Sequence, residues 1–263
     1  MFVVVFGIII LIYDYLSNNV RTLRYLYQLN KQGFIMQILS RDSLQLGGFS
    51  GIQEYRLVTD SRLFGTRKKP PTSEGLGSFV YLADAQYQPN GESGMHPHSE
   101  IDVISVIIDG RVSHEGSMEH GKDLVAGDVQ VQRAGGEGFS HNEINPDDSK
   151  NRMLQVWAIP EVKDQPASYK FYTPKLDGIT RIYGGDKFQS DTFESHTVIE
   201  IVHVKTGNSL QLDGEQLSYI IGGVAEFSEE SSLHSVQDGD LIRSTNAKVL
   251  ANQDLHMLVV SQQ

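Results

Sequence analysis

The sequence predicts an all-β protein built from two tandem β-barrels or sandwiches, and three observations carry that reading. From about residue 76 onward, short apolar or alternating runs bounded by turn residues dominate, as at 76–82, 102–108, 129–131 and 153–159. Asp109-Gly110 separates two such runs, which is the strongest short hairpin signature, and no stretch of this half sustains a 3.6-residue period. The pattern then repeats. Gly127-Asp128-Val129 follows Gly110 by 17 residues, and Gly239-Asp240-Leu241 follows Gly222 by the same 17, an offset of 112 residues in each case. Gly-Asp pairs are common in turns, but matching strands on both sides make a duplicated β unit the best explanation.

The elements follow in order. Residues 1–35 do not match the rest: an apolar run at 2–13, FVVVFGIIILIY, ends at Asp14. As a helix it would rise about 18 Å, short of the roughly 30 Å a membrane-spanning segment must cross. The basic residues Arg21, Arg24 and Lys31 lie behind the run, the wrong order for a secretory signal, and they would keep the body of the protein cytoplasmic. Three readings stay open: an over-called start with Met36 opening the soluble sequence, a marginal membrane anchor, or a docked helix. Residues 36–165 form the first barrel. The stretch 161–175, polar and carrying Pro166 and Pro174, marks the junction, and 166–263 form the second.

Composition narrows the function. Among 263 residues, 33 acidic against 22 basic side chains give a formal charge of -11, which repels phosphate backbones and argues against nucleic-acid binding. The one dense basic run, Arg67-Lys68-Lys69, reads as a solvated loop before two prolines. The chain has no cysteine, so any metal site must be built from imidazole and carboxylate. His96 and His98 are two residues apart, and so are His141 and Glu143. On strands, each pair turns both side chains to one face. Three imidazoles and a carboxylate, with no thiolate, suit iron, manganese, cobalt, nickel, copper or zinc, and a redox-capable Fe(II) fits best. A lone histidine on a β face is more often a hydrogen-bonded core or surface residue, which is the reading for His114, His120, His196, His203, His234 and His256.

The segments GMHPHSEIDVISVIIDGRVSHEGS, LVAGDVQVQRAGGEGFSHNE and LQVWAIPE, in this order between about residues 75 and 161, closely resemble the pirin branch of the cupin superfamily. The resemblance implies a bicupin whose N-terminal barrel binds one metal, usually iron, through His96, His98, His141 and Glu143. The family commonly has an acidic segment after the second histidine. Here Ser99-Glu100-Ile101-Asp102 stands in its place, so Asp102 is the candidate for an acidic role beside the metal. The 112-residue offset puts Asn208 and Leu210 at the positions of His96 and His98, so the C-terminal barrel is expected to lack a metal site.

The resemblance implies an oxidoreductase of the quercetin 2,3-dioxygenase type, acting with dioxygen on a flavonol or similar enol, with Glu143 as both ligand and general base. The alternative is a non-catalytic metal-bearing redox sensor that binds a protein partner. A third reading, a cupin isomerase or sugar-binding module, does not need an open redox site.

Overall fold

A computed structural model describes residues 36–118, 122–186 and 191–263 of the chain. The readings made for residues 1–35, and that for His120, lie outside the described residues. The fold is the expected all-β bicupin. The runs read as strands are found at Phe79–Tyr87, Asp102–Asp109, Val129–Arg133 and Arg152–Ala158. Asp109-Gly110 makes the hairpin, with Gly110 at φ 70°, a conformation in which a Cβ would also meet Asn151 at 2.9 Å.

Each barrel is a large sheet facing a small one. In the first barrel the large sheet runs Ser168–Tyr172, Val129–Arg133, Asp102–Asp109, Arg152–Ala158, Phe79–Tyr87, Ile52–Thr59 and Gly47–Phe49. Its small sheet runs His96–His98, Phe139–Ile144, Arg111–Gly116 and Lys122–Val125. In the second barrel the large sheet runs Gln37–Ser40, Asp240–Thr245, Glu215–Gly222, Leu255–Gln262, Ser195–Val204 and Gly178–Gly185. Its small sheet runs Ser209–Gln211, Lys248–Ala251, Val224–Glu229 and Ser232–Gln237.

The duplication is visible in the turns. The Asp128 carboxylate accepts a bond from Val125 N at 3.0 Å, and Asp240, 112 positions on, accepts one from Gln237 N at 3.0 Å. The glycines before them, Gly127 and Gly239, have φ of 95° and 91°. The leading strands are exchanged between the halves. Gln37–Ser40 pairs with Asp240–Thr245 of the second barrel, while Ser168–Tyr172 pairs with Val129–Arg133 of the first. Each covers a strand edge that would otherwise present unpaired backbone groups. A cut at 165/166 therefore separates Ser168–Tyr172 from the sheet it completes.

The largest core lies between the two large sheets, where Leu82, Ile104, Val129, Val131, Leu154 and Val156 of one half meet Ile199, Ile201, Leu217, Tyr219, Leu258 and Val260 of the other. Alternation in a strand ordinarily means one buried and one solvated face. The strand Val129–Arg133 alternates, but both of its faces are buried. Its valines enter the core between the barrels, and Gln130 and Gln132 point into the first barrel, each with no solvent exposure. The polar face is the inner one because it lines a site.

Candidate metal centre

The site begins with two neighbouring strands. His96–His98 pairs antiparallel with Phe139–Ile144, setting His141 opposite His96 and Phe139 opposite His98. The other neighbour of His141 is Gly116, where a Cβ would press to 2.4 Å from the Ser140 carbonyl oxygen, so only glycine permits this approach. The two-residue spacing then brings His96, His98 and His141 together on the inner face. The Nε2 atoms of His98 and His141 are 3.1 Å apart, and those of His141 and His96 are also 3.1 Å apart.

Protonation suits a cation at this point. The His96 Nδ1 lies 2.8 Å from the Gly94 carbonyl oxygen, which can only accept, so Nδ1 carries the proton and Nε2 offers its lone pair. Burial, followed by the neighbouring His141 and His96, pulls His98 down to about 3. Burial, with His96 and His114, holds His141 at about 3. Both imidazoles are therefore neutral near pH 7. Metal–nitrogen bonds of about 2.1 Å at a right angle put two ligand atoms roughly 3.0 Å apart, close to both separations. The three histidines could hold a metal ion, and among the described residues they form the one such group of three or more His, Asp or Glu side chains.

Glu143 faces the same cavity but stands outside that cluster. Its Oε1 accepts from Ser105 Oγ at 2.7 Å and Gln130 Nε2 at 2.9 Å, and its Oε2 accepts from Tyr87 OH at 3.0 Å. Hydrogen bonds to a carboxylate contribute about 1.5–3 kcal/mol each. Three of them outweigh the side-chain entropy of a glutamate, at most about 2 kcal/mol, and fix one orientation.

Asp102 does not join the histidines. Even-numbered residues of its strand face the second barrel, and its carboxylate pairs with Arg133 Nη2 at 2.8 Å and accepts from Tyr183 OH at 2.8 Å. Burial pushes this carboxyl above its ordinary value despite Arg133. The inward residue of that strand is Ser105, one of the three donors to Glu143. His114 is a hydrogen-bonded core histidine, as expected: fully buried, with Nε2 3.0 Å from the Met118 carbonyl oxygen.

The cavity beside the histidines holds about 360 Å³, and the sequence reading missed most of its walls. Phe64, Tyr81 and Trp157 stack in succession, with ring centroids 5.6 and 4.4 Å apart, and this aromatic column lines one side of the cavity. Phe64 belongs to the short helix Ser61–Phe64, which Asp60 caps through Arg62 N at 2.9 Å. Residues that line a pocket through contacts distant in sequence leave no local pattern. Of the cavity's lining, only His96, His98, His141 and Glu143 gave a readable signal.

Comparison with known proteins agrees with this architecture. The family model described as Pirin matches residues 62–158. A Pseudomonas aeruginosa protein named "Putative quercetin 2,3-dioxygenase" is 29% identical over 199 residues, covering 72% of this chain and 85% of that protein. A similarly named Zymomonas mobilis protein is 35% identical over 99 residues, covering 38% of this chain and 42% of that protein. Among solved structures, Escherichia coli YhhW superposes with a TM-score of 0.74 at 14% identity, covering 87% of this chain and 98% of that one. A second YhhW structure, described as a bacterial pirin in complex with nickel(II), gives 0.73 at 14% identity, covering 86% and 98%. At such identities the structural likeness speaks for the fold. The family model covers the segment that carries the ordered motifs from His96 to Trp157, and over that segment the chain is similar to pirins.

Proposed function

We propose that His96, His98, His141 and Glu143 hold one divalent transition metal, Fe(II) by preference, and that the protein is a dioxygenase acting on a flavonol or similar enol. The convergence of three imidazoles on one point, with His98 and His141 held neutral, carries this reading. The relatives named as quercetin 2,3-dioxygenases support the reaction class, and the nickel(II) held by the E. coli pirin supports a divalent metal. When bound, the metal would supply Lewis acidity and a template for the enol and dioxygen.

The residues of the chain do the rest. The aromatic column of Phe64, Tyr81 and Trp157 gives a planar ring system an apolar side to pack against and excludes water from it. Glu143 takes the enol proton on its carboxylate, and Ser105, Gln130 and Tyr87 hold that carboxylate in a single orientation. Pocket size agrees, since small-molecule sites start at about 300 Å³. The direct test is elemental analysis of anaerobically purified protein, followed by oxygen uptake and CO release with a flavonol panel. One equivalent of metal per chain and flavonol-dependent oxygen consumption are expected. Absence of uptake across the panel by fully loaded protein overturns the dioxygenase reading.

A further inference from the structure

The basic run Arg67-Lys68-Lys69 is not simply a solvated loop. A second cavity of about 430 Å³ adjoins the histidine cavity and shares Glu54, Arg56, Phe64 and Arg67 with it. Lys69 lines the second cavity and not the first. The charges along this path are unequal in their freedom. Glu54 is buried and neutralised by Arg56 Nη2 at 2.6 Å, with Tyr81 OH donating to it at 2.8 Å. Lys68 is turned inward: its Nζ donates to the carbonyls of Thr59, Thr72 and Ser73 at 2.7, 2.9 and 2.8 Å, and it pairs with Glu74 at 3.4 Å. Anchoring Lys68 splays its two neighbours outward. Among the described residues, Arg67 meets the Leu63 carbonyl oxygen, at 3.4 Å, and the Phe64 ring, at 5.9 Å from its centroid. Neither Arg67 nor Lys69 has a carboxylate partner among the described residues.

We propose that the two cavities form one elongated site for an enol bearing an anionic substituent. The enol lies by the histidines and the anion lies against Arg67 and Lys69. On a chain of net charge -11, two cations without a carboxylate partner among the described residues, Arg67 where the cavities meet and Lys69 in the second, are a local reversal of sign. They would draw an anionic ligand in and set which end enters first. The aromatic column runs between the two ends, because Phe64 belongs to both cavities and stacks on Tyr81. The inference rests on the functional reading above and specifies its substrate class.

The test uses Trp157, the only tryptophan of the chain, as the reporter, because it lines the histidine cavity. Quenching of its fluorescence would be titrated anaerobically in metal-loaded protein with quercetin and with a ring-sulfonated quercetin, at low and high salt. The sulfonated form should bind more tightly at low salt, and salt should erase the advantage. The Arg67→Ala, Lys69→Ala double variant should weaken the sulfonated ligand about tenfold, within reach of two exposed ion pairs. Lys69→Glu should weaken the sulfonated ligand alone and leave the unsubstituted one unchanged. Equal quenching by both flavonols, indifferent to salt and to Lys69→Glu, overturns the anionic subsite and leaves the flavonol reading standing. No quenching by either flavonol removes both.

Discussion

The two barrels share a plan and differ in what fills them. In the first, the small-sheet pair His96–His98 and Phe139–Ile144 sets histidines against one another, with Glu143, Gln130 and Ser105 buried behind them. In the second, Ser209–Gln211 pairs with Lys248–Ala251, and the interior is closed by Phe227, Ile220, Ile242, Val249, Ala251 and Met257. In Ser209–Gln211 the inward residue is Leu210, which packs on this core, and Ser209 and Gln211 are exposed. Much of that interior is apolar, although Gln216, Ser218 and Ser244 are buried with it. A buried polar cluster must satisfy every donor and acceptor or lose roughly 1–3 kcal/mol for each one left out. The first barrel gathers its buried polar groups around three histidines, and the described residues of the second hold no such group of possible metal ligands. The difference marks the first as the working site and the second, with the core between the large sheets, as its support.

The sharpest way to break this comparison is at Glu143. Glu143→Gln keeps size and packing but cannot accept a proton as a carboxylate does. Turnover should fall by about two to four orders of magnitude with only a modest loss of metal. His98→Ala should remove metal and activity together. Two equivalents of metal per wild-type chain would end the distinction between the barrels.

Stability variants separate the halves next. Asp102→Ala leaves Arg133 buried beside Tyr183 without its carboxylate and should cost about 3–5 kcal/mol in denaturant unfolding. Metal content should stay near one equivalent, because Asp102 faces away from the histidines. Loss of metal with unchanged stability would return Asp102 to the site. Phe227→Ala, at a fully buried position of the second barrel, should cost a similar 3–5 kcal/mol, again at full metal content. A selective loss of metal would mean that the second barrel shapes the centre directly.

The buried histidines add a test in pH. His98, His141 and His256 are held at about 3, in each case by burial first, against an ordinary value of 6.5. Between those values the unfolded chain binds protons that the folded chain refuses. Stability of the metal-free protein is therefore complete above about pH 6.5 and declines as pH falls toward 3. A series of urea midpoints across that window would register the decline. A flat series would mean that these imidazoles are not buried as neutral rings.

Local chemistry was legible where one residue's geometry settles the matter. Asp109-Gly110 had to turn, because Gly110 takes a positive φ. His96 with His98, and His141 with Glu143, had to share a face, because the strand period is two. The Gly-Asp turns at 127 and 239 announced the duplication through spacing alone. These features depend on backbone sterics within a few residues, and a sequence carries that information intact.

Tertiary structure decided which face looked where. In Asp102–Asp109 and Val129–Arg133 almost every residue is buried, because the barrel interior covers one face and the second barrel covers the other. Alternation gives parity but not direction in such strands. Asp102 therefore went to the interface with Arg133 and Tyr183, while Ser105 and Gln130 went to Glu143. The exchanged strands Gln37–Ser40 and Ser168–Tyr172, and the joining of Lys69's groove to the histidine cavity, likewise rest on contacts between residues far apart in the chain. Such contacts form only when the whole fold closes, because the free energy that selects them comes from burying both halves together.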